Sequence, residues 1–241
     1  MITLYPFERS SDWPKTMIVM KVHSVYSKAI NFEGENNRRY SLITGEPDYL
    51  PRAALIEALP FLKAGETVKI SPELSSVGFD PSIDPGSESV NPLWQPLWRE
   101  WKRFLLDDRL DCLLDHLENP EEMLGLGPGT TPAGDDFITG LVTAFRWSGV
   151  EVNERLVKAL EKNGTTWFSA QMIRDALNGY IWKRGKKLCQ ALTGSSASEL
   201  LSAAGRILQW GHLSGRAWLA GFSTGLDRKS TRLNSSHIPL S

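Results

Sequence analysis

LGLGPGTTPAGDDFITGLVTAFRW, residues 124–147, is the stretch that decides how this chain is built. In its first half Gly125, Gly127 and Gly129 alternate with Leu126, Pro128 and Thr130, a composition that no helix or strand interior tolerates. The pattern then flips. Thr131 is a good N-cap, Pro132 suits a first helical position, and Asp135 and Asp136 fall near the positive end of a helix dipole. From Phe137 the segment is apolar around most of a helix. Ile138, Leu141, Val142 and Phe145 form one stripe, and Phe137, Gly140, Ala144 and Trp147 the next. Only Asp135, Thr139, Thr143 and Arg146 make a polar line. The expectation is a buried central helix entered through a glycine loop, with Gly140 and Ala144 admitting a second helix at close range.

A loop of backbone N–H groups feeding a helix N-terminus is a physical recipe for holding phosphate or carboxylate. Gly127, Gly129, Thr130, Thr131 and Gly134 are therefore candidate substrate-binding residues, and Asp135 and Asp136 candidate catalytic acids or bases. The same letters also spell a well-capped helix start, in which each acid contributes about 0.3–1 kcal/mol against the dipole. Both readings stand at this point.

Further along, GHLSGRAWLAGFSTGL at 211–226 repeats the design. Ser214 can open a helix and join the substrate-binding set, and Ala217, Gly221 and Gly225 fall on one face at i, i+4, i+8. That face suits close packing on Gly140 and Ala144. If the two helices begin at the same end, His212 joins Asp135 and Asp136 as a candidate catalytic residue. A third polar start, Thr165-Thr166-Trp167-Phe168-Ser169, is explained by capping alone.

Everything after Pro92 reads helical. Trp94, Trp98, Trp101 and Leu105 mark one apolar face, Leu110, Leu113, Leu114 and Leu117 continue it, and Pro120 opens a short turn. Helices are expected over 153–162, 165–178, 180–192 and 198–210. Before Pro92 the signal is β. Residues 16–33 and 39–43 alternate as strands around a turn at 33–37, with further strands at 66–70 and 76–79. Pro51–Leu59 reads as a short helix, and His23 as a structural histidine within a strand. The expected fold class is α+β: a small β-rich N-terminal part, residues 1–91, and a larger all-helical part, residues 92–226.

Composition narrows the function. A formal net charge of −1, with no Lys/Arg cluster, argues against nucleic acid, and no apolar run approaches membrane-spanning length. The start lacks an apolar signal region. The two cysteines, Cys112 and Cys189, have no partners at metal spacing, so a reduced, cytoplasmic protein is expected, with no metal and no cofactor. Asp227–His237, DRKSTRLNSSH, reads as the residue-for-residue translation of a sequencing adapter, so 227–241 is expected to be an artefactual, disordered tail. Removing its three basic residues (Arg228, Lys229, Arg232) and one acid (Asp227) from 27 and 28 leaves 24 and 27, a formal charge of −3. His237 is excluded with it, and the natural C-terminus is expected to lie beyond Leu226.

GLGPGTTPAGDDFITG, the Thr-Thr-x-x-Ser start at 165–169 and GHLSGRAWLAGFSTG, in this order, resemble the AllH-like family. Its namesake is a subunit of the bacterial oxamate carbamoyltransferase of allantoin degradation. Gly127, Gly129, Thr131, Pro132, Gly134, Asp135 and Asp136 match the family's pattern. The resemblance implies a reaction of oxalurate and phosphate to oxamate and carbamoyl phosphate, partnership with the other subunits of the transferase, and small anionic substrates. The loop carries no cation of its own, and Arg174, Arg184 and Arg216 are candidates to supply one. Two other readings remain: a metal-dependent phosphotransferase or hydrolase using Asp135 and Asp136, and a non-catalytic assembly subunit.

Overall fold

The computed structural model describes all residues except 46–47, 85, 87–89, 106–108, 128–130, 153, 163, 195 and 236–241. The chain divides into two compact units, Met1–Ser82 with Tyr180–Lys186, and Ile83–Gly179 with Lys187–Ser241. A β-rich N-terminal part is thus followed by a larger helical one, the α+β architecture that the change of periodicity implies.

The first unit is a mixed eight-stranded sheet. Its strands are β1 (Thr3–Leu4), β2 (Glu8–Ser10), β3 (Ile18–Val25), β4 (Ala29–Glu33), β5 (Arg39–Ile43), β6 (Ala53–Leu55), β7 (Thr67–Ile70) and β8 (Ser76–Phe79), in the order β1-β7-β3-β4-β5-β6-β2-β8. β3 shows the alternation plainly: Met20 and Val22 are buried while Lys21 and His23 face outward. The register of β4 on β5 runs from Ala29 opposite Ile43 to Glu33 opposite Arg39. The turn between them places Asn36 and Asn37 at φ 57, the left-handed region that asparagine tolerates. Trp13, Met20, Val22, Ile30, Phe32, Leu42, Val68 and Ile70 fill the core.

Pro51–Leu59 is not a helix. Ala53–Leu55 forms β6, parallel to β5 and antiparallel to β2. Arg52 sits at φ 52, which a helix cannot accommodate, and Ala53 and Ala54 are fully buried between their neighbours. Burial between two strands overrides the helical preference of alanine and leucine.

The second unit contains α1 (Trp94–Leu105), α2 (Ala133–Ser148), α3 (Glu154–Glu161), α4 (Trp167–Leu177), α6 (Ala197–Leu208) and α7 (Ser214–Ser235), and it takes up most of α5 (Lys183–Thr193). On α1, Trp94 and Trp98 are buried, and Trp94 meets Trp101 and Phe222 edge-to-face at 6.3 Å. The leucines after α1 form a 3-10 turn, Asp111–His116, rather than more helix, and a second 3-10 turn, Pro120–Met123, leads to the glycine loop.

α2 is the buried centre of this unit. Gly134 through Ala144 are all buried, and the two threonines of its polar line return their hydroxyls to the helix, Thr139 to the Asp135 carbonyl at 2.8 Å and Thr143 to the Thr139 carbonyl at 2.7 Å. Its most extensive neighbour is α7. A Cβ on Gly140 would collide with the Trp218 carbonyl oxygen, and one on Gly221 with the Phe137 carbonyl oxygen. The backbones approach as closely as small residues allow. Further along, Gly225 lies against Ala144 and Leu141. Positions rise together on both helices (131 with 214, 137 with 221, 144 with 225), so α2 and α7 run parallel and begin at the same end. The backbone of α7 stays helical to Ser235, nine residues past Leu226, where a disordered tail was expected.

Candidate functional site

The shared end of α2 and α7 holds the polar residues that the sequence singles out. Gly125 and Gly127, at φ 75 and 106, take backbone conformations that side-chain-bearing residues rarely adopt. They turn the chain so that the Gly134 N–H donates to the Leu126 carbonyl at 3.0 Å. Gly134 itself packs under the Met123 carbonyl, leaving no room for a side chain. Gly129 and Thr130 lie outside the described residues.

Thr131 does not cap α2. Pro132 is the N-cap, in an extended conformation, and the helix begins at Ala133. The proline ring fixes φ one residue early and puts the boundary after it. The Thr131 hydroxyl instead faces Ser214, the first residue of α7, with 3.2 Å between the two Oγ atoms.

Asp135 is 1 % exposed and anchors two other segments. Its Oδ1 accepts the Gly125 N–H at 2.8 Å, and its Oδ2 accepts the Thr165 hydroxyl in a short contact. Thr166, next along, is the true cap of α4, accepting from the Ser169 N–H at 3.3 Å. One carboxylate therefore ties the glycine loop and the start of α4 to the first turn of α2. Burial raises its pKa, and the hydrogen bonds from Thr165, Gly125 and Ser169 hold part of that rise back.

Asp136 is 6 % exposed and less well served. Its Oδ2 is buried with no hydrogen-bond partner among the described residues. Burial raises its pKa well above the usual carboxylate range; the Ser214 hydroxyl opposes this, and the neighbouring Asp135 charge adds to it. Two adjacent acids are thus pushed apart by their surroundings, one braced by donors and the other held toward its neutral form.

Three helices, α2, α4 and α7, therefore begin against the same pair of acids. His212 stands exposed two residues ahead of Ser214, and its ring makes no hydrogen bond to a described residue. Among the candidate cations, Arg184 is paired with Asp48 at 2.6 Å within the first unit, Arg174 lies in the last turn of α4, and Arg216 is buried in the first turn of α7. As for metal binding, both oxygens of Asp135 already accept hydrogen bonds, and no group of three His, Cys, Asp or Glu side chains is arranged to hold an ion among the described residues.

Thr165 is the residue that sequence reasoning passed over. The signal was the doubled threonine at 165–166: one hydroxyl suffices for the cap, so the other was available for a tertiary bond.

Residues 123–226 match a family model described as oxamate carbamoyltransferase subunit AllH. No curated protein and no solved structure matches the chain. The matched span runs from the 3-10 turn before the glycine loop to the last residue ahead of the adapter-like stretch, and it contains all three helix starts.

Proposed function

We propose, from the match of residues 123–226 to the family model of oxamate carbamoyltransferase subunit AllH, that the chain is an AllH-like subunit and that the shared end of α2, α4 and α7 is where its anionic substrate binds. The reaction is oxalurate plus phosphate to oxamate plus carbamoyl phosphate, within a complex completed by other subunits. A phosphate oxygen bonds to the carbamoyl carbon and that carbon's bond to the oxamate nitrogen breaks. The proton of hydrogen phosphate ends on that nitrogen. The small anions in this exchange are carbamoyl phosphate, oxalurate, oxamate and phosphate.

One observation carries the reading. Three helix N-termini meet at a pair of buried acids, beside the paired hydroxyls of Thr131 and Ser214. Fixed dipoles of this kind stabilise negative charge without reorganising as it develops. Thr131, Ser214 and the Gly127–Thr130 backbone are the proposed binding groups, and Arg216 the cation at the start of α7. Asp136 and His212 are the proposed proton-handling groups, and Asp135 holds the loop and α4 in place.

The test is carbamoyl transfer by the complex co-assembled with its partner subunits. Thr131→Val keeps the shape and removes a hydroxyl. Losing a hydrogen bond to a charged ligand, about 1.5–3 kcal/mol, raises KM for the anionic substrate roughly ten- to a hundredfold. Unchanged kinetics in both Thr131→Val and Ser214→Ala would remove these hydroxyls from the site.

A further inference from the structure

We infer that the Asp136 carboxyl is a hydrogen-bond donor in the resting protein, giving the proton on its unpartnered Oδ2 to an oxygen of the bound anion. The inference rests on the anion site proposed above and adds the chemical state of one of its groups.

An anion site built around two adjacent carboxylates is an electrostatic contradiction unless one of them is neutral. The geometry says which. Both Asp135 oxygens accept hydrogen bonds, from the Gly125 N–H and the Thr165 hydroxyl, so Asp135 serves as an acceptor. Asp136, at 6 % exposure, presents an oxygen to which no described residue donates. An ionised carboxylate so placed lacks a donor it needs, whereas a protonated one has a hydrogen bond to give. The location fits. Asp136 is in the first turn of α2, next to Ser214, and Ser214 reaches across to Thr131. An anion lodged where α2 and α7 begin shares that end of the helices with Oδ2.

The surrounding charges leave this intact. Among the described side chains, the titratable and charged groups on the packed elements are Asp135 and Arg146 on α2, Arg174 and Asp175 on α4, Arg216 and Asp227 on α7 with His212 before it, and Glu121 and Glu122 on the 3-10 turn. Of these, Asp135 is the one whose charge acts on Asp136, and it favours the neutral form. With its proton in place Asp136 is a neutral donor, so an oxyanion approaches it without like-charge repulsion from that carboxyl. Whether that oxyanion is tetrahedral or a carboxylate decides which substrate group docks here.

The experiment is calorimetric titration of the assembled complex with sulfate and, separately, with oxamate. Neither probe changes charge between about pH 5.5 and 9, so any pH dependence belongs to the protein. At the low end, Asp136→Asn, whose amide keeps a donor, is expected to bind as wild type does. Asp136→Ala is expected to bind about tenfold more weakly. Toward the high end wild type is expected to fall toward the alanine variant while the asparagine variant holds. Binding of sulfate alone marks a phosphoryl subsite, and of oxamate alone a carboxylate subsite. If asparagine binds more tightly than wild type at low pH, Asp136 is an ionised carboxylate and the inference is overturned. Equal affinities in all three forms overturn it as well, by removing Asp136 from contact. If neither probe binds any folded form, judged by an unchanged melting profile, the anion-site reading itself fails.

Discussion

Asp135→Ala deprives two part-buried donors, the Gly125 N–H and the Thr165 hydroxyl, of their acceptor, and is expected to destabilise by less than the roughly 1–3 kcal/mol that each fully buried unmet donor costs. Thr165→Val removes one of the two bonds and is expected to cost about half as much, with denaturant midpoints as the readout. Equal stability of Thr165→Val and wild type would show that this bond does not hold α4 to α2. Asp136 adds a pH dependence. Its folded pKa is raised above the unfolded value, so the folded state binds more protons than the unfolded state between those two values. Its contribution to stability is therefore fully present below the unfolded pKa, near 4, and declines as pH rises toward the folded one, by at most about 1.4 kcal/mol per pH unit. Asp136→Asn removes the decline. The stability difference between wild type and Asp136→Asn should shift in favour of the variant as pH is raised from about 4, and a flat difference would contradict the buried neutral acid. At this scale the sequence told part of the story. It marked Asp135, Asp136, Thr131 and Ser214 as polar residues at helix starts, but not their separate duties. Those depend on which donors arrive from Gly125 and Thr165, a matter of tertiary placement.

Gly140 and Gly205 make a paired test at the scale of helices. Gly205, in α6, has nothing within 4 Å of the place a Cβ would occupy. Gly205→Ala is expected to stabilise by up to about 1 kcal/mol through helix propensity alone. Gly140→Ala gains the same propensity but drives a methyl into the Trp218 carbonyl and the Phe222 amide of α7, and overpacking costs about 1–3 kcal/mol. Melting temperatures should therefore move in opposite directions. A stabilised Gly140→Ala would mean that α2 and α7 are not held as closely as described. The small-residue spacing at 140/144 and 217/221/225 was legible in the sequence because close helix approach leaves a mark every fourth residue. Parallel orientation was not, since the same spacing serves antiparallel helices equally well. Residues 51–59 misled for a related reason. Pro-Arg-Ala-Ala-Leu reads as a helix locally, and only the neighbouring strands β5 and β2 make it β6.

For the chain as a whole, the division into a β part and a helical part was visible as a change of period from two to 3.6 around Pro92, whereas the return of Tyr180–Lys186 to the first unit was not. That strip carries no strand pattern; Ile181 is bound there by its N–H to the Pro81 carbonyl at 2.7 Å, and Tyr180 pairs with Ser82. The matched family span ends at Leu226, which is 4 % exposed, and Asp227 after it is exposed. We propose that 227–241 contributes nothing to the fold, so a chain ending at Leu226 should keep its melting temperature, and a clear drop would show that the helical extension to Ser235 supports α7. The central claim is that a substrate anion sits where α2, α4 and α7 begin. It is tested most directly by an experimental structure of the assembled complex with carbamoyl phosphate. The account predicts anion density between the Thr131 and Ser214 hydroxyls, within about 3 Å of Asp136 Oδ2. Density only at another surface of this chain, or only on a partner subunit, would contradict it.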